Sequence, residues 1–175
     1  MTVLETRRLR LRPFRADDAP ILLSWLVQPD FTRHLGGAWD ADRVDGMIER
    51  AARHHADHGF GPLGVEDRAS GALIGRAGFA YHVAWPDDPE AGWWIAPERQ
   101  GEGLATEAGA ASVRHGLETL RFDGLVSIAL EANLASRRVM AKLGFRLHER
   151  VPSEWGELWV HAVDRGGFET ARKGR

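Results

Sequence analysis

Cysteine is absent from the 175 residues, which excludes disulfides, thiolate metal sites and a cysteine nucleophile. There is no excess of positive charge either: Lys+Arg 23 against Asp+Glu 25 leaves a net charge of -2. A protein that grips nucleic-acid phosphates is normally basic, so a nucleic-acid partner is not expected. No apolar run reaches the roughly 20 residues of a membrane-spanning helix. The opening residues 1–8 carry no hydrophobic signal segment behind their charges. What is present is 43% hydrophobic and 27% charged, the balance of a folded globular chain. The expectation is a soluble, cytoplasmic protein with one domain over residues 1–175 and no membrane partner.

Residues 8–12 alternate arginine with leucine, the period-two signal of a strand, with Leu9 and Leu11 inward and the arginines on a solvated face. Asp17 and Asp18 mark a helix start before Ile21, Leu22, Trp25 and Leu26. A second helix is expected over 40–58, with Val44, Met47, Ile48 and Ala51 on one side. Short strands are expected at 63–66 and 73–79, a loop at 84–89, and strands at 90–95 and 125–130. Helices follow Gly103 and Asn133, and Gly144 has the position of a C-terminal cap. Residues 145–148 and 157–163 suit a final hairpin, and 164–175 reads as a loose polar tail. The order describes a mixed α/β domain. There is no internal repeat or low-complexity segment.

One segment carries a chemical signal. A strand ending at Ile95 leads into Gln100-Gly101-Glu102-Gly103-Leu104-Ala105-Thr106, where small residues let a ligand approach the backbone. The helix beginning there offers unpaired N–H groups and the positive end of its dipole, an arrangement suited to a phosphate or pyrophosphate. A P-loop is excluded, because no Lys-Ser or Lys-Thr follows the glycines. The dinucleotide fingerprint is half met, with Thr106 in its third glycine position. A glycine-rich turn that holds no ligand is the alternative.

A second block, Asn133-Leu134-Ala135-Ser136 followed later by Gly144-Phe145, resolves the ambiguity by resemblance. Together the two blocks resemble the GNAT superfamily of acyl-CoA N-acyltransferases. Its pyrophosphate loop, Arg/Gln-x-x-Gly-x-Gly/Ala, is matched by Gln100, Gly103 and Ala105. Its Asn-x-x-Ala/Ser block and closing Gly-Phe are matched by Asn133, Ser136, Gly144 and Phe145. Residues 4–14 and the Ala105-Thr106-Glu107-Ala108 sequence look like the branch containing ribosomal-protein N-terminal acetyltransferases. The similarity covers nearly the whole chain and weakens after about residue 150.

The resemblance implies an α/β fold in which two central strands splay apart around acetyl-CoA. It implies that the backbone of Trp93, Trp94 and Ile95 pairs with the pantetheine arm, an amide near Trp94 polarising the thioester. Main-chain N–H groups of Gln100, Gly101, Glu102, Gly103, Leu104 and Ala105 would hold the pyrophosphate. Asn133 would bond the pantetheine with Ser136 beside it, though a plain helix N-cap is the other role open to Asn133. The implied activity is transfer of an acetyl group to a primary amine, on a small molecule or a protein N-terminus, by direct attack. An amine is protonated near neutrality, so a proton acceptor is needed, and Glu90 is the first candidate with Glu131 the second. Either carboxylate also has an ordinary exposed role open to it. Glu107, in the first turn of a helix, more simply serves the dipole.

The chain departs from the family in one respect. Where many members place a tyrosine to protonate the leaving thiolate, this chain has Met140, and its only tyrosine is Tyr81. Ser136 or water is then left to supply that proton. His54, His55 and His58 lack the further ligands zinc needs and are expected on a solvated helix face, so no metal is expected. Of the seven tryptophans, Trp25 reads as core, while Trp39, Trp85 and Trp155 fall in expected loops. An acceptor side formed by the first helices and residues 84–89 is expected, and a homodimer is a possibility by resemblance alone. Use of a longer acyl-CoA, or acyl-CoA binding without turnover as a sensor or interaction module, are the competing readings.

Overall fold

The computed structural model describes residues 2–82 and 85–174. Its strands are β1 (Leu4–Glu5), β2 (Leu9–Arg12), β3 (Leu63–Asp67), β4 (Leu73–His82), β5 (Trp85–Ile95), β6 (Gly124–Leu130), β7 (Arg146–Ser153) and β8 (Gly156–Asp164). Its helices are α1 (Ala19–Leu26), α2 (Pro29–Thr32), α3 (Ala41–His58), α4 (Leu104–Arg114), α5 (Leu134–Lys142) and α6 (Arg165–Lys173). The strands form one mixed sheet in the order β1-β2-β3-β4-β5-β6-β8-β7. Every neighbouring pair is antiparallel except β5 and β6, which run parallel and, among the described residues, pair only at Glu90 and Val126. The two middle strands therefore meet at one point and part beyond it.

Helices cover both faces. On one, Leu22, Trp25 and Leu26 of α1 and Val44 and Met47 of α3 bury against Leu73 and Ala96, with Trp94 packed alongside. On the other, α4 and α5 bury Val113, Met140 and Leu143 against Phe79, Ala91, Leu125 and Ala129. Leu104 and Ala108 of α4 also meet Leu9, Leu11, Val65 and Ala77. Sequence alternation thus set the strand faces correctly at Leu9 and Leu11, and helical spacing set the buried stripes of α1 and α3, apart from Ile21, which is exposed.

Several expectations need correction. Arg12 is not on a solvated face. It is 4% exposed, and its guanidinium donates to Asp18 Oδ2 at 2.6 Å and to Glu66 Oε1 at 2.5 Å. Residues 85–89 of the expected loop belong to β5, and Ala84 lies outside the described residues. The sheet absorbs this segment by pairing Trp85 with His82 across a bulge in β4. The tail is not loose, because Asp164 caps α6 by accepting from the Gly167 N–H at 2.7 Å, and Phe168 is buried. The close approach of Gly144 helps: a Cβ there would fall 2.5 Å from the Gly167 carbonyl oxygen. His58 is exposed, but His54 and His55 of α3 are not simply solvated. His54 Nδ1 lies 2.7 Å from the Phe60 carbonyl and its Nε2 accepts from the Tyr81 N–H, which fixes the neutral ring with the proton on Nδ1. His55 is half-buried against the Pro62 carbonyl.

Burial of histidines has a consequence for stability. Burial lowers the pKa of His55, His115 and His161, and Nε2 of His115 is enclosed without a partner among the described residues. His115 begins a wider π-type turn that continues α4 and borders a cavity of about 10 Å³, room for a single water. A folded pKa below the unfolded value near 6.5 means the unfolded chain binds more protons just below that pH. These rings therefore stabilise the fold fully above about pH 6.5 and lose that contribution as pH falls through their folded pKa values. Tm is expected to drop between pH 7.5 and 5.5, and to drop less in His115→Phe, which keeps a ring against Phe79. A flat or rising Tm over that interval would contradict this account.

Candidate active site

The glycine-bearing loop folds as its spacing requires. Gly101 and Gly103 have φ of 81° and 78°, a conformation glycine adopts at little cost and other residues resist. With Gly103 at the N-cap, no side chain caps α4. The N–H groups of Leu104, Ala105 and Thr106 have no carbonyl one turn earlier to bond, so they stay available to an anion. Two arginines that the sequence did not single out fix this loop. Arg99 pairs with Asp67 Oδ2 at 3.1 Å and with Glu102 Oε1 at 2.8 Å. Arg8 pairs with Glu107 Oε2 at 2.7 Å and donates to the Glu102 carbonyl at 3.1 Å.

Glu107 is thereby engaged. Although burial disfavours its charge, bonds from the Thr6 hydroxyl and from the Arg8 backbone and side chain prevail and lower its pKa. It fastens the β1–β2 turn to α4, as befits an acidic residue in a first helical turn, and is no free base. Gln100 turns back so that its Nε2 donates to the Ile95 carbonyl at 3.1 Å.

Backbone alternation decides what lines the wedge between β5 and β6. Ala96 N–H donates to the Ile74 carbonyl at 2.8 Å, so by antiparallel alternation Trp94, Gly92 and Glu90 exchange bonds with β4. Trp93 and Ile95 then turn their N–H and C=O groups toward β6. The bond from Glu131 N–H to the Glu157 carbonyl, 2.9 Å, sets the alternation on β6, where Ile128 and Leu130 face β5. Past Glu90 and Val126 no ladder joins the strands among the described residues. The wedge is thus a strand-shaped slot with backbone groups on both walls, opening beside the α4 N-terminus.

The structure thus amends one sequence reading. An amide near Trp94 was expected in the slot, but the Trp94 N–H faces β4, and its ring packs edge-on against Trp25 and Phe31 at 6.2 and 5.8 Å. Trp93 and Ile95 supply the slot-facing amides.

Across the slot, Asn133 caps α5 by accepting from the Ser136 N–H at 3.1 Å. The cap uses its Oδ1 and leaves both Nδ2 hydrogens, so capping and ligand binding are compatible. Ser136 is half-buried in the first turn of α5. Glu90 is half-buried where the strands meet, on the face covered by α1 and α3, level with Ala80 and Val126. Glu131 is exposed in the turn after β6. Met140 is wholly enclosed in the core under α4 and α5, and Tyr81 packs with His54, His58 and Phe60. Neither stands in for the family's tyrosine. Among the described residues no group of three or more potential ligands is placed to hold a metal ion. No helix is long and apolar enough to cross a membrane, again among the described residues.

Comparisons with known proteins agree with this geometry. The family model described as an acetyltransferase (GNAT) domain matches residues 8–146. The uncharacterized N-acetyltransferase YoaA of Bacillus subtilis is 28% identical over 146 residues, covering 82% of each chain. An acetyltransferase crystal structure from Agrobacterium tumefaciens superposes with a TM-score of 0.85 at 27% identity, covering 94% of this chain and 95% of that one. The ribosomal α-N-protein acetyltransferase RimL, solved in complex with coenzyme A, shares the fold with a TM-score of 0.79 at 14% identity, covering 93% and 98%.

Proposed function

Because the chain belongs to the GNAT acetyltransferase family, we propose that it moves the acetyl group of acetyl-CoA onto a primary amine, of a small molecule or a protein N-terminus, by direct attack. The observation that carries this reading is the slot between β5 and β6, which opens beside an uncapped, glycine-shaped helix start. Acetyl-CoA would supply the activated thioester. The N–H groups of the loop 100–105 and the first turn of α4 would hold its pyrophosphate. Trp93 and Ile95 would hold the arm as an added strand does, and their amides are the donors for a carbonyl oxygen that gains charge. Asn133 Nδ2 would donate to the arm from the opposite wall.

The remaining work is proton movement. Glu90 accepts the proton of the acceptor ammonium, directly or through a water, from the face opposite the loop. Ser136 Oγ–H is the nearby side-chain donor for the departing sulfur, and a thiolate needs little help to leave. The sheet therefore separates the two ligands: the cofactor enters beside α4 and α5, and the acceptor from the α1–α3 side.

A thermal shift tests the cofactor assignment. Acetyl-CoA at 100 times its dissociation constant should stabilise the fold by about 2.7 kcal/mol. Gly103→Glu, which sets bulk and negative charge at the helix start, should abolish the rise in Tm. Gly103→Asn, whose residue tolerates the left-handed backbone, controls for folding. Equal shifts in the wild type and Gly103→Glu would refute the loop assignment. Release of free thiol on addition of amines then tests acetyl transfer itself.

A further inference from the structure

The face of the sheet under α1–α3 carries a cation that the mechanism has not used. Register places Arg76 level with Trp94, Gly78 with Gly92, and Ala80 with Glu90, all on that face. The Arg76 side chain lies down along β5: a Cβ on Gly92 would sit 3.3 Å from its Nη1. Gly92 is two residues from Glu90, about 7 Å along the strand. The guanidinium therefore lies a short step from the carboxylate that takes the acceptor's proton.

Its surroundings set it apart from three other arginines of the fold. Arg8, Arg12 and Arg99 each grip a carboxylate. Arg76 has no carboxylate within ion-pairing distance among the described residues. Dense protein around it depresses its pKa by desolvation, against the more distant charge of Glu90. The side chain is half-buried, and its planar fork matches a carboxylate or phosphate in two parallel bonds. Phe31, against Trp94, brings α2 to the same face. A small ligand there would have a cation at one end, a proton acceptor at the other, and a glycine between them that leaves room.

We propose that Arg76 recognises the acceptor, binding a carboxylate or phosphate carried a few bonds from the amine that is delivered to Glu90. The substrate class is thus an amino acid, a compound resembling one, or an amino phosphate, in place of a neutral or purely cationic amine. This inference rests on the acetyl-transfer reading above.

The test uses the full chain, acetyl-CoA and matched acceptors: amino carboxylates against their carboxamides, and amino phosphates against their alcohols. In the wild type, kcat/KM should favour the anionic member of at least one pair by about 10- to 100-fold, chiefly through KM. The pair showing the preference identifies which anion the site takes. Arg76→Gln should bring that ratio to near one, and Arg76→Lys should keep part of it, because lysine offers a charge without the fork. A thermal shift with acetyl-CoA shows that each variant is folded. A wild-type ratio near one for both pairs, or a ratio that Arg76→Gln leaves unaltered, overturns the proposal. If no amine releases thiol, the acetyl-transfer reading fails separately, and calorimetry of the amino carboxylates and amino phosphates on the CoA-loaded protein decides about Arg76. Binding that weakens at least 10-fold in Arg76→Gln supports the site; equal binding, or none, refutes it.

Discussion

Glu90→Gln is expected to lower kcat by about two to four orders of magnitude while keeping the rise in Tm that acetyl-CoA produces. The size follows from the acceptor's chemistry, since an alkyl ammonium cannot attack until its proton leaves. Glu90 is the candidate carboxylate that is half-buried at the junction of β5 and β6, on the α1–α3 face of the sheet. The glutamine keeps the shape and removes the proton acceptor. Residual turnover of the variant should climb steadily with pH, as free amine replaces ammonium in solution. Glu131→Gln is the comparison: that residue is exposed beyond β6, and its loss should have little effect. Near-normal kcat in Glu90→Gln, with a collapse in Glu131→Gln, would transfer the role to Glu131. Near-normal kcat in both would leave proton removal to water.

Which features the sequence disclosed depended on the range of the physics involved. The loop at 100–105 was legible because a left-handed backbone demands glycine, and glycine spacing is local. The buried stripes of α1 and α3 were legible for the same reason, since helical periodicity spans a few residues. Arg12 was not. Alternation along β2 places Arg10 and Arg12 alike, yet Arg10 is exposed and Arg12 is enclosed by a carboxylate from β3 and another from the turn before α1. The start of β5 was obscured by Pro86 and Pro89, residues that read as loop until a partner strand is known. In α6, Phe168 is the lone buried apolar residue, too few to form a periodic signal. Motif spacing singled out Gln100, Gly103 and Asn133, which in the structure hold the Ile95 carbonyl, the left-handed start of α4 and the first turn of α5. The neighbours of Arg8, Arg76 and Arg99 are set by contacts between distant segments, which no local pattern displays.

Arg12→Met should destabilise the fold by about 3–5 kcal/mol, a large share of the roughly 5–15 kcal/mol that holds a domain together. Arg12, Asp18 and Glu66 expose only 5%, 8% and 9% of their side chains, so removing the guanidinium strands two carboxylates in a poorly solvated place. Asp18 also accepts from the Arg15 N–H at 2.7 Å, and the cluster ties the turn before α1 to β2 and β3. The attraction within such a cluster does little more than offset desolvation. Replacing Arg12, Asp18 and Glu66 together by methionine and leucine should therefore cost less than Arg12→Met alone. Denaturant melts of both variants check this, and a triple variant weaker than the single one would contradict it. The pH dependence has a definite sign. Burial tends to raise the pKa of Asp18, but the bonds from Arg12 and Arg15 outweigh it and the net shift is downward. Its contribution is complete above the unfolded carboxylate pKa near 4 and fades as pH falls through the lower folded value. Acid should therefore weaken the wild type in two stages, the histidines below about pH 6.5 and this cluster below about pH 4. Arg12→Met should lack the second stage, because its stranded Asp18 no longer has the guanidinium that favours its charge. The same tether orients α1, whose Trp25 packs on Trp94, so loosening it should raise KM for the acceptor before it affects acetyl-CoA.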